Sequence, residues 1–359
     1  MTIHDFWVGS LHFSEAFGDD TVARLNALAP ITACDGRQYK IRAEHMAIHE
    51  VPLSFQTKYG LIIDRYSYLY PQAIGVFMGY AFRGIYLINN PFGFYYYLNN
   101  KDAAYIVARE LGISIPRTYI LPPKEAPALN QNDFRYHRHF DWQGMTEELG
   151  WPLVIKPADG KEAIGFNIAH SMDELLYYYN QSGSKVMLLQ QKVRTPFAWQ
   201  IRCLCIGRRV IPIKYIFRKQ DASEYLYDPQ FLGPELGQRV IDTCKIINRL
   251  LGYEMNSVEF FIDEDGTLQA IDFNNPVPDG RLSALGTIFY EDYQKALVEL
   301  VSEVVAHQRS MDFIPAEINT FAQIARRKDL TTEQKFQEAL KLANRYYEPA
   351  EKLLQPSSV

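Results

Sequence analysis

Residues 257–276 read SVEFFIDEDGTLQAIDFNNP. Val258, Phe260 and Ile262 alternate with Glu259 and Phe261, the two-residue period of a strand. Asp265-Gly266 supplies a tight turn, and Leu268, Ala270, Ile271 and Phe273 bring the chain back as a second strand. Asp272 and Asn274 are two apart, so on a strand they face one side. Glu259 on the first strand can lie across from them. Two carboxylates and an amide oxygen on one face make a hard-oxygen site of the kind Mg²⁺ favours, above all when phosphates complete its shell. The alternative is a hairpin whose exposed face is merely acidic.

At 359 residues the chain exceeds one ordinary core, which predicts two or three domains. With 47% hydrophobic and 22% charged residues it has the composition of a soluble globular protein. A net charge of -5 argues against a nucleic-acid or anionic-membrane binder. Cys34, Cys203, Cys205 and Cys244 form no CxxC pair, so they read as small hydrophobes in a reducing cytosol rather than zinc ligands or disulfides. No basic-then-apolar leader opens the sequence, and no stretch approaches the roughly 18 uninterrupted apolar residues of a membrane span. The expected location is cytoplasmic.

Along the chain, residues 1–40 show little pattern beyond a helix over 20–28. Residues 38–49 partly alternate as a strand. That reading separates His45 from His49, which only a helix would pair as metal ligands. From residue 59 the order is strand (YGLIIDRY), helix (71–83), strand (IYLINNP), the unit of a parallel α/β layer. Asn100 opens a helix that Gly112 ends. Residues 122–140 carry three prolines and read as a hinge loop. WPLVIKPADGKEAIGF is strand, glycine turn, strand; Ser171 caps a helix; KVMLLQQKV is a strand; IRCLCIGRRVIPIKYIF is a hairpin turning at Gly207. Residues 219–234 read as a mobile polar loop. An amphipathic helix over 235–251 precedes the opening hairpin, and helices follow it. Residues 331–354 read as one long helix or two short ones before a frayed end.

Binding a triphosphate requires cations, close backbone N–H groups and magnesium. Lys156 ends a buried strand and is held before Pro157. Asp159-Gly160 and Gly165 bracket a short loop whose glycines let backbone approach an anion. This is not a P-loop, because GxxxxGK[ST] is missing and a strand follows. Lys214 and Arg202 add cations from the 201–217 hairpin.

Five segments in this order resemble the ATP-grasp superfamily over about residues 59–305: NNKDAAYIVARELGISIPRT, WPLVIKPADGKEAIGF, LLQQKV, IRCLCIGRRVIPIKY and VEFFIDEDGTLQAIDFNNP. The superfamily includes D-alanine–D-alanine ligase, glutathione synthetase and the ligases that add glutamate to a ribosomal protein. The resemblance implies an α/β (α+β) chain with the ATP-grasp fold. A parallel α/β domain over 1–120 would precede two α+β subdomains that clasp ATP, over 121–195 and 196–305. A helical extension over 306–359 would follow. It implies that Lys101 closes on the nucleotide and that Lys156 contacts the phosphates under the flap Asp159, Gly160 to Gly165. Gln190, Gln191, Lys192 and Val193 would form the adenine hinge. Lys214 would lie near the phosphates, and Arg202 would stabilise an acyl phosphate. Glu259, Asp272 and Asn274 would hold two Mg²⁺, with Mn²⁺ able to substitute.

Three departures bear on the reading. Hinge acids are replaced by neutral Gln190 and Gln191. The two metal acids are exchanged in length. The arginine of the D-alanine ligases two residues before the first metal acid is Ser257 here, which points toward the Arg202 type of enzyme. The implied reaction activates a carboxylate with ATP as an acyl phosphate, and an amine then displaces phosphate. The substrates would be amino acids or peptide-like molecules, with Arg281 contacting them. Arg65 and Tyr68 read as an interdomain salt bridge and core packing, with lining of the cleft the alternative; the aromatic run 92–97 reads as packing, with a hydrophobic substrate site the alternative. The C-terminal helices could cover the active-site domain or form a homodimer contact. A kinase that only transfers phosphate, or an ATP-binding regulatory protein with weakened catalysis, are the alternatives.

Overall fold

A computed structural model describes residues 2–12, 16–70, 72–125, 140–159, 164–218 and 223–348. Most of the hinge loop at 122–140, Gly160 with the centre of the flap, residues 219–222 and the tail from 349 lie outside them.

The first layer contains a strand that residues 1–40 did not advertise. β1 (Ile3–Leu11) is exposed over its first three residues and buried only from Val8, so it shows no in–out alternation. It is nevertheless the middle strand. After α1 (Ala16–Ala27) come β2 (Ile31–Thr32), β3 (Gln38–His45), β4 (Tyr59–Asp64), α2 (Gln72–Phe82) and β5 (Tyr86–Ile88). The sheet order is β2-β3-β1-β4-β5, with β3, β1, β4 and β5 parallel.

Two helices lead out of this layer. Asn90 caps α3 (Pro91–Leu98) by accepting from the Phe92 and Gly93 amides, with Pro91 in the first turn. The aromatic run 92–97 is therefore helical, and Phe94, Tyr95 and Tyr97 are buried in the core. α4 (Lys101–Glu110) follows, and Gly112 ends it at φ +83°. A Cβ there would lie 2.4 Å from the Thr332 carbonyl oxygen. Gly112→Ala is therefore expected to cost about 1–3 kcal/mol, read as a lower denaturant midpoint at unchanged slope.

The second sheet is β6-β9-β7-β8, built from β6 (Thr118–Leu121), β7 (Leu153–Pro157), β8 (Asn167–Ala169) and β9 (Met187–Gln191). Behind it lie α5 (Trp142–Leu149) and α6 (Met172–Asn180), whose cap is Ser171. The third sheet is β12-β11-β10-β13-β14, wholly antiparallel. Its strands are β10 (Gln200–Ile206), β11 (Arg209–Ile216), β12 (Glu224–Leu226), β13 (Met255–Ile262) and β14 (Leu268–Asn275). β12 sits in the stretch read as a polar loop.

α7 (Pro234–Leu251) covers one face of the third sheet through Val240, Cys244, Ile247 and Leu251. α8 (Leu282–Ala306) covers the other and carries it onto α1 and the first sheet. α9 (Glu317–Arg326) and α10 (Thr332–Tyr347) pack on α7, and Phe321 and Phe336 join its core. Cys203, Cys205 and Cys244 are buried and reduced, and Cys34 is exposed. Among the described residues no helix is long and apolar enough to cross a membrane.

Asn89 locks the first sheet to the third. Its Nδ2 donates to the Met255 and Pro276 carbonyls at 2.7 and 3.2 Å, and its Oδ1 accepts from the Glu254 and Met255 amides. All four hydrogen-bonding valences of a buried amide are met, as burial demands. Arg65 does similar work. It donates to Tyr293 Oη at 2.8 Å and to the Pro278 carbonyl at 3.2 Å and lies over the Phe17 ring.

Candidate active site

The hairpin of residues 257–276 is built around an irregularity. Asp263 Oδ1 accepts from the Asp265 and Thr267 amides, and Gly266 at φ +79° completes the turn. Ile262 pairs with Leu268, Phe261 with Gln269 and Phe260 with Ala270. Continued without a break, this register would set Glu259 against Ile271 and Asp272 on the opposite face. Instead Glu259 pairs with Asp272, leaving Ile271 as an extra residue on β14. A β-bulge of this kind re-aims a side chain and frees backbone groups. Here it turns Asp272 to the face of Glu259 and releases the Ile271 carbonyl. A second irregularity sets Phe273 and Asn274 together opposite Val258.

Five cations and donors converge on the hairpin. Lys101, at the first turn of α4, donates to both Asp272 oxygens at 2.9 and 3.0 Å. An ammonium at a helix N-terminus opposes the helix dipole, so the ion pair must hold it there. Lys156 at the end of β7 donates to the freed Ile271 carbonyl at 3.1 Å and to Tyr105 Oη at 3.0 Å. Tyr105 in turn donates to the same carbonyl. On β10, Gln200 and Arg202 share a face. Gln200 Nε2 donates to Glu259 Oε2 at 2.8 Å, and the Arg202 guanidinium stands 3.0 Å from Glu259 Oε1. Arg202 also lies 3.4 Å from Ser257 Oγ and over the Tyr215 and Tyr225 rings. The small Ser257 leaves room for that guanidinium.

Burial pushes the Glu259 carboxyl up, against the pull of Arg202, and the Asp272 charge adds to the rise. Burial also works against the Asp272 charge, but Lys101 and Lys156 outweigh it and hold its pKa below the ordinary carboxylate value. Burial lowers Lys156 to about 8, with Asp272 resisting and Lys101 assisting.

The donor set fits magnesium. Glu259 and Asp272 face each other, and Asn274 Nδ2 donates to the Tyr97 carbonyl at 2.5 Å. Asn274 Oδ1 is buried and has no hydrogen-bond partner among the described residues. An orphaned buried acceptor on the strand that carries Asp272 is what a hard cation would satisfy.

Other residues named from the sequence divide. Val154, Lys156, Leu188 and Gln190 share one face of the second sheet, since Lys156 pairs with Leu188 and Val154 with Gln190. Gln190 is buried there and donates to Thr118 Oγ1 at 2.8 Å. Gln191 points the other way, where its Oε1 accepts from Arg117 at 3.2 Å. Its side chain is therefore not part of the cleft face. Lys192 is exposed, and Val193 lines a groove behind the hinge with Arg117 and Arg194. Gly165 takes φ +78°, and a Cβ there would meet Pro157 at 2.8 Å, so the flap end closes only on glycine. Asp159 is exposed, 3.8 Å from Lys185.

Lys214 does not join the cluster. It pairs with Ile201, whereas Arg202 pairs with Ile213, so Lys214 lies on the opposite sheet face. There it contacts Asp228 at 3.1 Å and the Trp199 ring. Arg281 is exposed and forked onto Asp279, with contacts of 2.9 to 3.3 Å. Burial opposes the Asp279 charge, but Arg281 and Arg202 hold its pKa down. Sequence reasoning missed Gln200 and Tyr105. Gln200 is two residues before Arg202 on one strand and Tyr105 four after Lys101 on one helix, and both spacings signal a shared face.

No family model matches the chain. A curated D-alanine–D-alanine ligase of Desulfotalea psychrophila is 25% identical over a match 175 residues long that covers 43% of this chain. The match spans about half that relative's length, 51%. Among solved structures, the D-alanine–D-alanine ligase of Bacillus anthracis complexed with ATP superposes with a TM-score of 0.55 at 17% identity, covering 83% of this chain and 98% of that one. The ATP-grasp ligase PsnB, complexed with a variant of its minimal precursor, Mg and ADP, gives 0.53 at 13% identity, covering 84% and 100%. The chain has the ATP-grasp fold.

Proposed function

We propose that this protein is an ATP-dependent ligase that activates a carboxylate as an acyl phosphate and joins it to an amine, releasing ADP and phosphate. The reading is carried by one observation: around one hairpin Lys101 bonds Asp272 at 2.9 Å, Arg202 pairs with Glu259 at 3.0 Å and Lys156 donates to the Ile271 carbonyl at 3.1 Å. Its substrates are an amino acid or peptide-like acid and amine. D-alanine ligases and a precursor-binding ligase share the fold, which supports that class.

Lys101 and Lys156 hold the phosphates, and Glu259, Asp272 and Asn274 hold the metal. Magnesium, when bound, neutralises charge on the transferred phosphoryl oxygens. Before nucleotide arrives, Asp272 engages the lysine that later grips phosphate. Nucleotide entry exchanges Lys101 from carboxylate to phosphate and leaves Asp272 for the metal. Gln200 orients Glu259. Arg202 meets the acyl carbonyl where negative charge develops. The flap ending at Gly165 excludes water from the acyl phosphate. Gln190 offers an amide oxygen to adenine, and Arg281 lies on the substrate side. The functional units follow the three sheets, with boundaries near 120, 195 and 305.

The test is ADP and phosphate release with pooled amino acids and small carboxylic acids, read together with product mass. Stimulation by an acid–amine pair with a condensed product is the expected result. A phosphorylated product without condensation would make the protein a kinase, and binding without turnover in any pool would sink the enzymatic reading.

Lys156 gives a pH signature. Its folded pKa, about 8, lies below the ordinary 10.5, so across that window the folded chain holds fewer protons than the unfolded one. Stability of the ligand-free protein is thus penalised below about 8 and recovers as pH rises toward 10.5. Nucleotide affinity runs oppositely, weakening above pH 8 by up to about tenfold per unit as the ammonium is lost. Lys156→Arg, charged throughout, flattens the profile in a fluorescent-nucleotide titration.

A further inference from the structure

The first layer brings together three metal-ligating side chains that the phosphate cluster does not use. His12 follows β1, Asp19 lies in the first turn of α1, and His45 ends β3. One ligand atom from each lies within 4.8 Å of the others. His45 Nε2 is 2.9 Å from Asp19 Oδ1, and His12 Nε2 is 4.0 Å from the same oxygen. A tetrahedral ion with bonds of about 2.0–2.1 Å sets its ligands about 3.3 Å apart, and the two observed spacings straddle that value.

The geometry around His12 is built rather than incidental. Its imidazole is only 1% exposed. Its Nδ1 hydrogen-bonds Ser10 Oγ at 2.8 Å, and Ser10 is itself 2% exposed. That hydrogen bond at Nδ1 fixes the ring and directs Nε2 as the ligand atom. Ser10 is also the strand partner of His45, so one backbone register positions both histidines. Gly18 stands within α1, where glycine weakens a helix. A Cβ there would fall 1.8 Å from His12 Cδ2, so the helix gives way to the ring. Asp19 and His45 are exposed, free to close by the fraction of an ångström that coordination requires.

We infer that His12, Asp19 and His45 form a binding site for one borderline divalent transition-metal ion of the Zn²⁺ or Co²⁺ class. Two imidazoles select such ions over Mg²⁺, which the all-oxygen set of Glu259, Asp272 and Asn274 suits. Three protein ligands leave at least one position for water. The site sits at the carboxyl ends of parallel strands, where open α/β sheets bind ligands. An ion there joins β1, β3 and the start of α1, whose Phe17 ring lies against Arg65 beneath the loop that carries Arg281.

The test is a Co²⁺ and Zn²⁺ titration of the full chain after chelation, followed by calorimetry and visible absorption. One saturable equivalent with a low-symmetry Co²⁺ spectrum is expected, together with a rise in melting temperature. His45→Ala and Asp19→Asn alter exposed side chains, so they should fold as wild type and lose that equivalent or weaken it by tenfold or more. Asp272→Asn should retain it, which separates this site from the carboxylates of the phosphate cluster. Equal uptake and an equal melting shift in wild type and His45→Ala would overturn the site, as would loss of the equivalent in Asp272→Asn alone.

Discussion

Asp272→Asn is expected to lower ATP-dependent turnover by about 10³-fold or more, while metal-free nucleotide binding is kept or tightened. The two signs have one cause. In the ligand-free protein Asp272 occupies Lys101 at 2.9 Å and holds Lys156 in its field. Under the proposed function, removing its charge would free both ammoniums for phosphate but would leave the metal with Glu259 and an amide. The same change strips two lysines of their counter-charge. Asp272 is 28% exposed, so the stability cost is discounted to about 1–3 kcal/mol, less than for a fully buried pair. Turnover measured at saturating Mg²⁺, nucleotide binding measured with chelator, and a melting curve separate these effects. Turnover that persisted at unchanged Mg²⁺ would show that Asp272 does not hold the metal.

Much of the fold was legible because its elements carry strong periodic signals. α7 shows an apolar stripe between Pro234 and the left-handed Gly252, and the helix occupies that span. The hairpins at Gly207 and Gly266 turn where glycine permits positive φ. β1 was not legible: it is exposed at its start and buried at its end without alternation, and only its position between β3 and β4 makes it central. α3 was hidden for the opposite reason. An almost wholly aromatic run has no polar face to mark a helical period, and Asn90 with Pro91 was the available signal.

Within the site, register decided what residue type could not. Lys214 was placed with the phosphates because it is a lysine on the right hairpin. The turn at 207–208 pairs Ile206 with Arg209, and counting back sets Lys214 against Ile201 rather than Arg202. That count was available from the sequence and excludes Lys214 from the Arg202 face. Gln191 follows the same rule, one residue after Gln190 on a strand. For Glu259 and Asp272, counting fails. A regular hairpin would separate them, and only the bulge at Ile271 brings them together. No turn residue in the sequence marks that bulge. Its chemical consequence, a freed carbonyl that receives Tyr105 and Lys156, explains why the irregularity falls here.

Arg202→Met is expected to reduce turnover by about 10²–10³-fold with little change in the apparent affinity for ATP. In the proposed mechanism Arg202 would act on the acyl side, so its loss would fall on kcat rather than on nucleotide binding. A structural cost accompanies it. Arg202 and Glu259 are 16% and 14% exposed, and cutting such a pair leaves a carboxylate with Gln200 as its remaining donor. That costs about 3–5 kcal/mol, seen as a lower melting temperature. Arg202→Lys keeps the charge but loses the fork and the stacking on Tyr215 and Tyr225, so it should recover stability more fully than turnover. The decisive variant exchanges two residues. Ser257 Oγ lies 3.4 Å from the Arg202 guanidinium, so Arg202→Ser with Ser257→Arg returns a guanidinium to nearly the same place from the neighbouring strand. Ser257→Arg alone crowds a fully buried position and should be severely destabilised. In the double variant the vacated volume accepts the new side chain, and the two changes should couple by well over about 1 kcal/mol. Turnover restored above either single variant would place the function in the guanidinium rather than in the strand that carries it. Turnover no better than that of Arg202→Ser, in a double variant that folds, would confine Arg202 to holding Glu259.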